Sequence, residues 1–328
     1  MRTLFSRRNA KRNGRILLIL IFVGFVAVKL QRIDSNMHAI AKGSTRRFLP
    51  SHIVSQFEHN PQWEVTTSPE LVSFVNVITQ QPFRWLNKGL QAYAFESQDG
   101  EYVLKFFQQQ RLRDKPLHEN FFQYLFSQSF RDKTILVKVH RDEIFVSSKL
   151  AFEEIAQESG ILYVHLNKTD NLLRGVKIID ATGQSYRIRP DDTSFLIQRK
   201  AHYILPTITA LMNNKDIRGA KMRLDQIFDL LVTLAKKGMV DGDNALIRNN
   251  NIGFIRDRAI YIDTGHIVKQ ADLNVKKQME HEFHKRLEPL YEWLCFNYPE
   301  LASYYDMRRQ EIIASLSPPA PMHIALEQ

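Results

Sequence analysis

A single cysteine, Cys295, leaves this 328-residue chain without a partner for an internal disulfide. Lying in the apolar run Trp293-Leu-Cys-Phe296, its thiol is expected inside a core, and an oxidising secreted setting is disfavoured. Acidic residues are almost missing from the first 47 positions, which carry eleven Lys or Arg against Asp34 alone. That arm accounts for the whole formal charge of +10, because the other 34 basic and 34 acidic residues cancel. A nucleic-acid-binding domain needs a basic face of its own, so that function class loses its support. No apolar run reaches the roughly 20 residues of an ordinary spanning helix. The longest, Ile16 to Val28, has 13.

That short run is nevertheless the most hydrophobic part of the chain. Six basic residues precede it, and Lys29 and Arg32 follow it. Arg15 and Lys29 can extend their stems towards opposite head-group layers, with Leu30 adding to the far end. No Ala-x-Ala site follows closely, which favours an uncleaved anchor over a signal peptide. The expectation is therefore a basic tail (1–15), a transmembrane signal-anchor (16–30) in the lipid bilayer and a linker (31–67). A flexible tail (317–328) begins at Ser317-Pro-Pro-Ala-Pro321. The location implied is single-pass in a membrane, the bacterial inner membrane. The positive-inside rule would put the domain on the outer side, whereas the positive charges after the span favour retention, and the sequence leaves the side open.

Between these ends, 68–316 has the length and the 44% hydrophobic content to bury a full core. Glu101-Tyr-Val-Leu-Lys-Phe-Phe107 reads as a strand with Lys105 at its middle, preceded by a turn at Gly89 and a hairpin turn at Asp99-Gly100. Strand patterns recur at 160–166, 175–179 and 194–198, and Ala220 to Lys237 places Leu224, Ile227, Phe228, Leu231 and Leu234 on one helical face capped by Gly238. Then come Val240-Asp-Gly-Asp243, Asn251-Ile-Gly-Phe-Ile255 and Ala259-Ile-Tyr-Ile-Asp-Thr-Gly265, which put carboxylates and an amide at turns between short apolar strands. Phosphoryl transfer needs such groups: oxygen ligands for Mg²⁺, a cation for the phosphates and a carboxylate to orient the attacking hydroxyl.

In this order the pieces resemble the protein-kinase-like superfamily. The resemblance implies an α+β, two-lobed fold with a five-stranded antiparallel N-lobe (about 68–200) and a small helical C-lobe (about 201–316), carried behind the transmembrane helix. It implies that Gly89 lies in the nucleotide-covering loop, Lys105 holds the phosphates of ATP, Asn251 and Asp263 hold Mg²⁺, and Asp243 or Asp241 orients the acceptor, Asp243 being preferred. Glu154, with Glu153 and Glu119 as rivals, would pair with Lys105 from a helix over 147–157. The short C-lobe is similar to those of aminoglycoside-phosphotransferase-like and lipid-core sugar kinases. Gly160-Ile-Leu-Tyr-Val-His-Leu-Asn-Lys-Thr169 also resembles an uncharacterised membrane-anchored family of chlamydia-related bacteria.

Several departures bear on activity. The covering loop has one glycine, so few backbone N–H groups can approach phosphate. There is no His-Arg-Asp, no Ala-Pro-Glu, and the path from Asp243 to Asn251 is long. An ATP- and Mg²⁺-dependent phosphotransferase acting on a hydroxyl is the expected function; the alternative is an inactive pseudokinase scaffold or a membrane-bound adaptor. His281 and His284 read as residues of a surface helix, since no third ligand follows at zinc spacing.

Overall fold

The computed structural model describes residues 48–113, 139–241 and 251–316. The anchor 16–30, the candidate base Asp243, Glu119 and the tail 317–328 lie outside them. Among the described residues, no helix is long and apolar enough to cross a membrane. The chain divides into two units. One comprises Met1–Phe48 with Asp180–Thr182, where the Asp180 carboxylate accepts from the Thr182 N–H and hydroxyl at 2.9 and 2.7 Å. The other, Leu49–Ile179 with Gly183–Gln328, holds everything that follows.

Its elements, in chain order, are helix α1 (Pro69–Ile78) and strands β1 (Phe83–Lys88), β2 (Ala92–Ser97), β3 (Tyr102–Phe107), β4 (Leu112–Arg113) and β5 (Val139–His140). Helix α2 (Arg141–Ser159) precedes β6 (Ile161–His165), β7 (Val176–Ile179), β8 (Ser185–Ile188), β9 (Phe195–Arg199) and β10 (His202–Tyr203). Helices α3 (Ile204–Asn213) and α4 (Ile217–Lys236) lead to β11 (Met239–Asp241), β12 (Ile252–Ile255), β13 (Arg258–Tyr261) and β14 (Ile267–Lys269). Helices α5 (Val275–His281), α6 (Glu288–Asn297) and α7 (Pro299–Ser315) complete the unit.

The main sheet has seven strands, ordered β6-β9-β3-β2-β1-β7-β8, in place of the five antiparallel strands expected. The β7–β8 hairpin, whose first strand the 175–179 pattern foresees, joins the edge of β1 through a parallel β1–β7 pairing. Strand β8, Ser-Tyr-Arg-Ile, was not foreseen although its residues alternate, with Ser185 and Arg187 exposed and Ile188 buried; four residues is the shortest alternation that marks a strand. Alternation along β2, β3 and β9 gives the sheet two unlike faces, the outer one rich in aromatics. Tyr93, Phe95, Phe106 and Phe195 crowd the outer one, with Phe95–Phe106 and Phe106–Phe195 ring centroids 6.1 and 5.7 Å apart. The inner face carries Lys105, Leu196 and Gln198 and packs on a core built from α2, α4 and the C-terminal helices. Helix α4 buries Leu224, Ile227, Phe228, Leu231 and Leu234, each contributing about 1.5–3 kcal/mol.

Two further expectations change. Residues 49–67, read as the end of a linker, pack against the body: Ile53 and Trp63 are buried, Val54 bridges to Thr193, and the Trp63 ring meets Phe145 edge-on at 5.1 Å. Cys295 is exposed rather than buried. Helix α6 turns Leu290 and Leu294 inward, four residues apart, and a residue one step on points about 100° away.

Candidate functional site

Lys105 and Asp263, 158 positions apart in the numbering, come within electrostatic reach of each other beneath the sheet. The antiparallel registers Ala94↔Lys105 and Lys105↔Leu196 put the lysine in mid-sheet, pointing inward. Its Nζ donates to the Ile262 carbonyl at 2.7 Å. Burial pushes its pKa below the ordinary lysine value, and the neighbouring Asp263 charge opposes that shift. Asp263 itself faces solvent, and its Oδ1 accepts from the Gly265 N–H at 3.3 Å.

The β12–β13 hairpin brings the third predicted residue to the same place. Ile252 pairs with Tyr261, and one step outward the Ile262 N–H donates to the Asn251 carbonyl at 2.6 Å. Asn251, buried, and Asp263 therefore flank the open end of one ladder, next to the lysine. A carboxylate and an amide supply the hard oxygen donors Mg²⁺ takes, and a lysine beside them suits a polyphosphate, so this donor set fits the nucleotide-metal pair implied by the sequence.

Residues not foreseen hold this arrangement. Gln198, the first polar residue after the apolar run Phe195-Leu-Ile197, donates from Nε2 to the carbonyls of Ser159, Tyr261 and Ile262 at 2.6, 3.2 and 3.2 Å. Ser147 of α2 donates to the Thr264 carbonyl at 2.5 Å and accepts from the Ile267 N–H at 2.6 Å, tying Asp263-Thr-Gly265 and the strand after it to the helix. Above them the β1–β2 loop folds down. Gln91 lies 3.0 Å from His266 Nε2 across Gly265, where an added Cβ would come within 2.2 Å of Gln91 Oε1. Gly89 needs no special geometry, since a Cβ there would meet only the Ala92 carbonyl at 3.7 Å. Its own carbonyl accepts from Gln108 Nε2 at 2.8 Å. The Gln198 position alone carried a sequence signal; Gln91 and Ser147 are unremarkable polar residues in polar surroundings.

Two predicted residues are engaged elsewhere. Glu154 pairs with Lys269 at 2.9 Å, not with Lys105: it stands two turns along α2 from Ser147, at an exposed position beside β14. Glu153 likewise lies 3.9 Å from Lys149. Asp241, proposed as an acceptor base, is bound into a buried cluster. Arg286 donates to its Oδ2 at 2.6 Å, the Tyr261 hydroxyl also donates to it, and Arg286 in turn reaches Glu282 at 2.8 Å. A carboxylate so neutralised cannot serve as a base. Asp243, the preferred candidate, lies outside the described residues.

No protein-family model and no curated protein sequence matches the chain. Among solved structures it is similar to the bifunctional kinase-methyltransferase WbdD, at 16% identity over 69% of this chain and 47% of that one, with a TM-score of 0.31. A co-crystal structure of WbdD with the kinase inhibitor LY294002 gives 17%, 71%, 49% and 0.31 for the same quantities. The Legionella pneumophila Lpg2603 kinase bound to IP6 gives 13%, 71%, 77% and 0.29. The chain thus spans about half the length of the WbdD chains it matches.

Proposed function

We propose that this protein is a kinase-like phosphotransferase that binds ATP with Mg²⁺ between Lys105, Asn251 and Asp263 and phosphorylates a hydroxyl acceptor. The observation that carries this reading is the convergence of Lys105 and Asp263 on the end of the β12–β13 ladder that Asn251 opens. Lys105 would hold the nucleotide phosphates; its contact with the Ile262 carbonyl ties its position to Asp263, one residue on. Asn251 and Asp263 would supply the metal's protein oxygens. The metal, when bound, would neutralise charge on the transferring phosphoryl group. Asp243 remains our candidate for orienting the acceptor. The anchor 16–30 would hold the protein in a membrane, a reading that rests on its flanking charges and apolar run.

Adding ATP with Mg²⁺ to the full-length chain is expected to raise its thermal unfolding midpoint, since a ligand that binds only the folded state stabilises it. Lys105→Ala and Asp263→Asn, both still folded, are expected to abolish the rise. An unchanged midpoint in the parent chain would sink the nucleotide site altogether. A second reading, a pseudokinase that binds nucleotide without turnover, is favoured by one specific feature. Among the described residues, no glutamate of α2 reaches Lys105, and Gln91 closes over Gly265. Nucleotide binding without any release or transfer of the terminal phosphoryl group would decide for it.

A further inference from the structure

On the outer face of the sheet, away from Lys105, nitrogen-bearing side chains gather around one tyrosine with no acid among them in the described residues. Lys88 and Tyr93 are direct partners in the β1–β2 register, and Lys88 Nζ stands 5.1 Å from the centre of the Tyr93 ring. His52 stacks on that ring from the packed N-terminal segment, with its Nδ1 2.9 Å from the tyrosine hydroxyl. Gln110 donates to the same hydroxyl at 3.4 Å. Arg111 follows in the short turn after β3, within electrostatic reach of both Lys88 and Tyr93. Because Ala94 is the residue paired with Lys105 and Tyr93 is paired with Phe106, the cluster and the proposed nucleotide site lie on opposite faces.

Among the described residues, the charges here are unbalanced. Lys88 depresses the His52 pKa, after burial, and Arg111 does the same to Lys88. Among the described residues, neither Lys88 nor Arg111 forms an ion pair. Holding like charges together in a half-buried site costs free energy, which an incoming anion would recover. The positions are also set in advance. Lys88 rests on the Tyr93 ring, and the turn bearing Arg111 is fixed by buried Gln108, whose N–H donates to the Gln91 carbonyl at 2.8 Å.

We propose that Lys88, Arg111 and the Tyr93 hydroxyl, with His52, form a second anion site that takes a phosphate group. A guanidinium fork and an ammonium, set beside a hydroxyl, match the several oxygens and double charge of a phosphomonoester better than a single carboxylate. That phosphate could be free or the head group of a lipid, since Leu86 and Leu90 stand exposed on either side of Lys88.

The test titrates the full-length chain at low salt with inorganic pyrophosphate, and separately with dihexanoyl phosphatidic acid kept below its micelle concentration. Binding is read by calorimetry. Binding of either is expected, weakened about tenfold by Lys88→Met or Arg111→Met and unchanged by the surface control Lys168→Met. Preference for pyrophosphate would identify a free phosphate ligand, and preference for the lipid analogue a head group; both support the site. Binding of neither, or binding that Lys88→Met and Arg111→Met leave intact, overturns it. Loss in Lys105→Met with retention in Lys88→Met would assign the phosphate to the nucleotide cleft and overturn it equally.

Discussion

His165 shows how far one side chain's setting departs from its sequence. In the run Gly160 to Leu166 it reads as an ordinary strand histidine, yet its ring is buried, with Nδ1 donating to the Thr193 carbonyl at 2.8 Å and Nε2 3.0 Å from the Thr169 hydroxyl oxygen. Burial lowers its pKa, with the Thr193 carbonyl and the Asp191 charge opposing. The unfolded chain therefore takes up this proton first as pH falls below about 6.5. Stability that is present above that pH is lost as pH drops towards the lowered folded value. Urea unfolding at a series of pH values from 7 to 5 should show that loss, and His165→Gln should flatten it. A parent chain with no slope in that window would refute the assignment. The same contrast governs the site residues. Lys105 was legible because a cation in the middle of an apolar strand is unusual, whereas Glu154 was misassigned because which turn of α2 comes to lie beside the site is settled by packing.

At the scale of elements, the ends of helices and the turns between strands carry the local logic. Helix α1 starts where the Ser68 hydroxyl accepts from the Leu71 N–H at 3.2 Å and Pro69 opens the first turn. Helix α4 stops at Lys237, followed by Gly238 in the left-handed region at φ 71°. An added Cβ at Gly238 would come within 2.5 Å of the Gln270 carbonyl, which is backbone and cannot swing aside. Gly238→Ala is accordingly expected to destabilise the protein by about 1–3 kcal/mol in chemical denaturation. Gly89→Ala, lacking both the positive φ and a close neighbour, should be nearly neutral. Equal effects of the two substitutions would contradict this account of the two turns. The β12–β13 hairpin is the element on which the proposed function depends, because its ladder alone places Asn251 next to the residue before Asp263.

Across the whole molecule, the Asp241–Tyr261–Arg286–Glu282 cluster joins parts that are distant in sequence. It connects the strand before the acidic loop, the strand before Asp263 and the helical turn after α5. The Arg286 and Asp241 side chains are only 3% and 5% exposed, so removing the cation would strand two buried carboxylates. Arg286→Met is expected to cost about 3–5 kcal/mol. Adding Asp241→Asn and Glu282→Gln should restore part of that, as urea midpoints would show. A loss confined to the usual ±0.5 kcal/mol of a surface substitution would mean the cluster does not bind these elements together.

What the sequence by itself determined is local. The strand around Lys105, the amphipathic face of α4 and the chain order of Lys105, Asn251 and Asp263 all follow from periodicity and short-range pairing, which adjacent residues encode. Tertiary structure decided the partners. It gave Glu154 to Lys269, Asp241 to Arg286 and Gln91 to His266, and it added the β7–β8 hairpin to the edge of β1. Each of those choices depends on which helix face and which sheet edge come together. Burial of apolar area drives that assembly and is blind to the order of residues along the chain, so the polar side chains take whichever partners the packed core leaves within reach.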